Sequence, residues 1–197
     1  MKTIGITGGI GSGKSIISKL FETKGIPVYI TDIEAGKLNN SSFEIRKKLS
    51  GRFGTEIYSD GVLNNKMLAS LIFNDSDHLA FVNSVVHPEV YKDFLEWKKK
   101  YSKKNFIGIE SAILFESGFN KYADITVAVL APIEIRIQRV QERDHLDKEA
   151  VLSRIQNQMS DEERVDLVDY AIINDGASAL LPQVENLFEM LKFREFV

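Results

Sequence analysis

Five short apolar runs recur along the chain, and between them the apolar positions change period. Thr3 to Thr7 is the first, held between glycines as a buried parallel strand would be. Pro27-Val28-Tyr29-Ile30 reads as the second, and Asn105 to Glu110, Asp124 to Leu130 and Tyr170 to Ile173 as the rest. Ile16, Ile17, Leu20 and Phe21 fall at helical spacing, with Gly25 as a stop signal. Ile133, Ile137 and Val140 mark a second helix, and Leu180, Val184, Leu187, Phe188 and Leu191 a closing amphipathic one. Strand, loop, helix and strand in succession imply an α/β fold with a five-stranded parallel sheet.

Residues 32–104 break this rhythm. Leu68, Leu71, Ile72, Leu79, Val82, Val86, Val90, Phe94, Trp97 and Tyr101 recur at helical intervals. Turn signals surround them at Asn39-Asn40-Ser41-Ser42, Asp60-Gly61 and Asn74-Asp75-Ser76-Asp77. The pattern predicts a core of residues 1–31 and 105–197 with a helical insertion at 32–104. No internal repeat, low-complexity tract or linker interrupts it.

Composition narrows the class. A chain of 197 residues, 44% hydrophobic and 27% charged, carries enough apolar material for one sizeable core. It contains no cysteine, which removes disulfides and thiolate metal sites. A net charge of −3 gives no general electrostatic case for nucleic acid. No stretch approaches the ~20 apolar residues of a membrane span, and the N-terminal run lacks a signal peptide's long apolar region. The expectation is a cytoplasmic protein with small-molecule partners. Its oligomeric state is left open, a monomer being the working expectation.

The densest chemistry lies between the first strand and the first helix. Gly8-Gly9-Ile10-Gly11-Ser12-Gly13-Lys14-Ser15 satisfies the phosphate-loop pattern in full and in the required strand-to-helix context. Glycines let successive N–H groups turn into one concavity, and the following helix points its positive end at the same anion. Lys14 would neutralise charge between the outer phosphates, and Ser15 would offer its hydroxyl to Mg²⁺. A dinucleotide-binding loop has no use for Lys14-Ser15 at this spacing. A GTPase would carry a guanine-reading Asn-Lys-x-Asp, which is absent.

Other residues are open to two readings. Asp32, just past the second strand, can orient an acceptor hydroxyl and take its proton, or can simply N-cap the next helix. Arg139 and Arg143, four apart, can clamp phosphates as part of a lid at about 140–160, or form a solvated face with nearby acids. Arg136, Arg154 and Arg164 belong to the same charged stretch. Glu110 and Glu116 flank the exit of the third strand, and either could hold Mg²⁺ through water. His87 before Pro88 reads as the extended residue preceding a helix start, with a substrate contact as the alternative. His78 and His145 read as surface residues. Lys98-Lys99-Lys100 and Lys103-Lys104 read as a solvated helix end.

In combination these motifs resemble the dephospho-CoA kinase family. Thr7-Gly8-Gly9-Ile10-Gly11-Ser12-Gly13-Lys14-Ser15 looks like that family's opening. Asp32 and Ala35 then fall on the second half of its Asp-Ala-Asp-x-x-Ala-Arg segment. Asp60-Gly61-Val62-Leu63, His87-Pro88, Ile113-Leu114-Phe115-Glu116, Arg139 with Arg143-Asp144, and Asn174-x-Gly176 follow in the family's order. Three positions depart: Ile30 stands where the family has its first Asp, Gly36 (with Lys37 adjacent) where it has Arg, and Ala112 where it has Pro.

The resemblance implies a three-layer P-loop kinase fold with an arginine-bearing lid, and transfer of phosphate from ATP, with Mg²⁺, to the ribose 3′-hydroxyl of dephospho-CoA. It assigns nucleotide contacts to Gly8–Ile16 and to the Asn174–Gly176 turn, and catalysis to Lys14, Asp32, Arg139 and Arg143. The acceptor would meet Asp32, Lys37 and His87. The alternatives are another small-molecule or nucleoside monophosphate kinase, and a regulatory nucleotide-binding protein.

Overall fold

The computed structural model describes residues 1–73 and 75–193. β1 (Lys2–Thr7) leads through the glycine-rich loop into α1 (Lys14–Thr23), and β2 (Val28–Ile30) follows. Next come α2 (Thr31–Ser41), α3 (Phe43–Phe53), β3 (Tyr58–Ser59), β4 (Val62–Leu63), α4 (Asn65–Ile72) and α5 (Ser76–Lys100). The chain then resumes β5 (Phe106–Glu110), β6 (Ile125–Leu130), α6 (Ile133–Asp144), α7 (Lys148–Gln156), α8 (Asp161–Val165), β7 (Tyr170–Ile173) and α9 (Leu180–Phe193). Two compact units result: Met1–Tyr29 with the chain from Tyr101 onward, and Ile30–Lys100.

In the first unit the five expected strands form one parallel sheet in the order β2-β5-β1-β6-β7. β1 sits in the middle, with Ile4 opposite Gly108 on one side and Ile125 on the other. Its Ile4 and Ile6 are fully buried, as are Ile107, Ile109, Val127, Val129 and Ile172 on the neighbouring strands. Burial on both faces is why these strands read as continuous apolar runs rather than alternating ones. The helical periodicities also land as expected. Phe21 of α1 packs against Phe188 of α9 with ring centroids 5.0 Å apart, and Val184, Leu187 and Leu191 are buried along the same helix. Ile137 and Val140 of α6 bury against Val151 of α7, with Ile10 of the glycine-rich loop packed on this cluster.

The second unit is helical apart from one small hairpin, which the pattern shows only as a turn signal. Asp60 and Gly61 take φ of 49° and 83° and connect Ser59 to its partner Val62. Two successive positive φ values in a two-residue loop are what a hairpin's right-handed twist requires. Two expectations are corrected. Asn39-Asn40-Ser41 is not a loop: it completes α2, and the chain turns at Ser42 alone, whose Oγ caps α3 by accepting from the Ile45 N–H at 3.3 Å. Pro88 does not begin a helix either but lies inside the 25-residue α5. The buried residues on both sides of it, Val82, Val85, Val86, Val90 and Phe94, hold the helix together through the missing backbone bond. His78 is half-buried rather than surface-exposed, with its ring edge-on to Phe53 and Nδ1 at 3.2 Å from the Leu71 carbonyl.

Candidate active site

The phosphate loop follows β1 because the strand's last residue, Thr7, hands over to backbone that only glycine adopts easily. Gly13, with φ of 96°, is the clearest case. The N–H of Ser12 closes a turn on the Gly9 carbonyl at 3.1 Å. The N–H groups of Gly11, Gly13 and Ser15 have no hydrogen-bond partner among the described residues, and they cluster where α1 presents its positive end. Lys14 is buried in the loop, its Nζ donating to the carbonyls of Gly8 at 2.8 Å and Gly9 at 3.2 Å. The hydroxyl oxygens of Thr7 and Ser12 are buried without a protein partner. Free N–H donors, an ammonium and spare hydroxyls around one concavity fit a polyphosphate.

A strand and a helix beside the loop complete this surface. Glu110, the last residue of β5, is buried and accepts from Ser18 Oγ at 2.6 Å and from Ser15 Oγ at 3.3 Å. Of the two acids considered for a cation, Glu110 therefore stands beside the Ser15 hydroxyl. Glu116 is used elsewhere, accepting the Met159 N–H at 3.1 Å. From α6, Arg139 reaches across the loop, its Nη1 at 3.4 Å from the Gly11 carbonyl and 3.5 Å from that of Ser12. Its Nη2 donates to Asn174 Oδ1 at 3.2 Å.

A phosphate loop, a buried carboxylate beside its serine and an arginine across its mouth belong to many small kinases. The sequence comparison decides among them: the profile of the dephospho-CoA kinase family matches residues 2–179. The chain belongs to the dephospho-CoA kinase family. Dephospho-CoA kinase from Bacteroides fragilis (strain YCH46) is 45% identical over 188 residues, which cover 95% of this chain and 92% of the relative. A crystal structure from Thermus thermophilus superposes with a TM-score of 0.83 at 32% identity, covering 98% of this chain and 97% of that one. Dephospho-CoA kinase from Campylobacter jejuni shares the fold, with a TM-score of 0.67 at 22% identity over 98% and 96% of the two chains.

Within this dephospho-CoA kinase framework, several expected residues have different surroundings from those their spacing suggests. Arg143 does not join Arg139 on the loop. It is exposed and forms a two-pronged pair with Asp144, at 2.7 and 2.9 Å, which raises its pKa. The arginine that does join Arg139 is Arg136, one turn earlier: it is buried and donates from Nε to the Ile10 carbonyl at 2.9 Å. The Ile10 N–H goes to Gln158 Oε1 at 2.8 Å, and the Ile16 N–H to the Gly13 carbonyl. Neither is available to phosphate.

The buried side chain of Asn174 braces the loop: Nδ2 donates to the Ser12 carbonyl at 2.7 Å while Oδ1 accepts from Arg139 at 3.2 Å. Gly176, with φ of 82°, lies in the exposed turn beyond it. Local pattern does not reveal the roles of Arg136 and Gln158, because their partners lie 126 and 148 residues away. The density of arginines was the only signal available in the sequence.

In the second unit, Asp32 lies in the first turn of α2, directly after β2, and is exposed. No side chain caps that helix, so the capping alternative falls away. Lys37 is exposed and pairs with Glu34 at 2.8 Å. His87 is half-buried within α5, and burial lowers its pKa. Among the described residues no helix is long and apolar enough to cross a membrane, and no cluster of three metal-ligating side chains occurs.

Proposed function

We propose that the chain transfers the γ-phosphoryl group of Mg-ATP to the ribose 3′-hydroxyl of dephospho-CoA, yielding coenzyme A and ADP. The observation that carries this reading is the unpartnered N–H cluster around Lys14, in a chain matched to the family from residue 2 to residue 179. The loop N–H groups bind the β- and γ-phosphates, and Lys14 turns its ammonium from the loop carbonyls to the bridging region. Arg139 covers the transferring group from the side of α6. A loose, charge-spread transition state is stabilised chiefly by such fixed donors.

The acceptor oxygen attacks phosphorus in line, the bond from the γ-phosphorus to the β,γ-bridging oxygen breaks, and the hydroxyl proton passes to Asp32. Because proton removal runs late in a loose transition state, Asp32 contributes mainly by orienting the hydroxyl. Ser15 and Glu110, adjacent beside the loop, are the residues that would hold a hard cation such as Mg²⁺. Bound there, Mg²⁺ would neutralise phosphate charge.

Arg143, Lys37 and His87 are assigned to acceptor or lid contacts. For Arg143 and Lys37 that role requires exchanging Asp144 and Glu34 for a substrate phosphate. Both substrates are those of a cytoplasmic enzyme, and a single chain carries every group invoked.

The test is release of ADP from Mg-ATP over a panel of acceptors. Dephospho-CoA should be turned over with coenzyme A as product, while nucleoside monophosphates and small polyols should give only background. Preference for a monophosphate would replace the acceptor assignment. Tight nucleotide binding with no acceptor-stimulated turnover would replace the kinase with a nucleotide switch.

A further inference from the structure

The peptide groups of Ile10 are held from both sides by residues distant in sequence. Gln158 takes the N–H and Arg136 takes the carbonyl. Arg136 is a fork rather than a single donor. While Nε holds Ile10, Nη1 donates to Asp161 Oδ2 at 3.1 Å. Asp161 in turn accepts from Arg164 through Oδ1 at 2.7 Å. Asp161 is itself fixed at the first position of α8 by a complete capping box between Ser160 and Glu163. The adjoining Met159 N–H is tied to Glu116 on the loop after β5. Residues 158–161 thus each make a defined bond, and two of them lead to Ile10.

The fit between arginine and loop is close. A Cβ at Gly9 would fall inside the Arg136 guanidinium, so the planar group lies directly against the loop at that residue. Arg164, fully buried, leaves Nε and Nη2 without partners. A buried ion cluster with unmet donors is a poor stabiliser compared with apolar packing of the same volume. What the Arg136 fork supplies is a fixed direction at two edges, which lysine cannot supply.

We infer that Arg136 is a positioning residue for Mg-ATP, setting the curvature of the phosphate loop through Ile10, with Asp161 fixing its orientation and Gln158 closing the clamp. This inference rests on the reading of Gly8–Ser15 as the ATP site. It extends the site to the segment that begins α8, which is joined to the cradle by these bonds.

The experiment compares steady-state kinetics of Arg136→Lys, Asp161→Asn and Gln158→Ala with the unaltered enzyme, each checked by circular dichroism and thermal melting. Arg136→Lys should raise KM for Mg-ATP by roughly ten-fold, the size of one charge-assisted hydrogen bond, while KM for dephospho-CoA stays within about two-fold. Asp161→Asn should shift KM for Mg-ATP in the same direction, and the double variant should be no worse than Arg136→Lys alone, since both act through one fork. An unchanged KM for Mg-ATP in folded Arg136→Lys overturns the inference. Equal changes for both substrates with a lowered melting temperature also overturn it, as they would mark a merely structural role.

If Arg136→Lys fails to fold, Gln158→Ala decides, because it removes the Ile10 acceptor at a half-exposed position. Loss of Mg-ATP affinity in that variant supports the clamp, and normal affinity refutes it. Lys14→Ala runs in parallel. Full activity there would sink the ATP-site reading itself, whereas an inactive Lys14→Ala beside a normal Arg136→Lys would sink only the brace.

Discussion

Gly13 and Asn174 are coupled at a distance of a few ångströms. Gly13 takes a left-handed conformation to start α1, and a Cβ there would overlap the Asn174 amide. Gly13→Ala therefore carries two penalties: about 1–2 kcal/mol of backbone strain, and displacement of the side chain that holds both the Ser12 carbonyl and Arg139. Nucleotide titration of the folded variant should show ATP affinity falling by at least about ten-fold, with thermal stability reduced by the strain and by the displaced hydrogen bonds. Asn174→Ala should reproduce the affinity loss without the strain. Wild-type affinity in Asn174→Ala would show that Arg139 needs no such tether. Gly13 was legible because a local pattern carries its role. Asn174 was legible only as a motif member, since its partner Ser12 lies 162 residues away.

At the scale of elements, the periodic signals were sufficient for the sheet and failed at punctuation. Each strand begins within a residue of its expected start, because burial on both faces writes the run directly into composition. Pro88 misled because the rule that proline opens a helix is local, whereas α5 continues through it on the strength of five buried side chains. That continuity has a measurable consequence. Interior proline costs about 3 kcal/mol through the lost bond and the clash with the preceding turn. Its restriction of the unfolded chain returns only about 1 kcal/mol. Pro88 is exposed, so replacing it removes no core contact. Pro88→Ala should raise the denaturant midpoint, by an amount equivalent to about 2 kcal/mol. A lower midpoint would mean that Pro88 itself is required for packing within α5's surroundings.

For the whole molecule, the response to acid comes from two kinds of group, carboxylates that lose a negative charge and a histidine that gains a positive one, with the same direction of effect. Hydrogen bonds to backbone N–H groups hold Asp175, and the hydrogen bond from Arg143 holds Asp144, below the usual carboxylate range. Groups of this kind contribute stability above their unfolded pKa, and lose it as pH falls through the folded value. His87 acts earlier. Burial lowers its pKa in the fold, so the unfolded chain binds the extra proton first. Its contribution is complete above the ordinary imidazole value of about 6.5 and is lost progressively below it. Stability measured by denaturant titration should therefore begin to fall near neutrality, well before any carboxylate titrates. In His87→Gln, which keeps a polar side chain that cannot charge, the decline between about pH 7 and 5 should flatten while the steeper loss at lower pH remains. An unchanged slope in that window would show that His87 titrates normally in the folded chain. The same variant also tests the acceptor assignment: a raised KM for dephospho-CoA at pH 8, where His87 is neutral in both states, would reflect a lost contact rather than a lost charge.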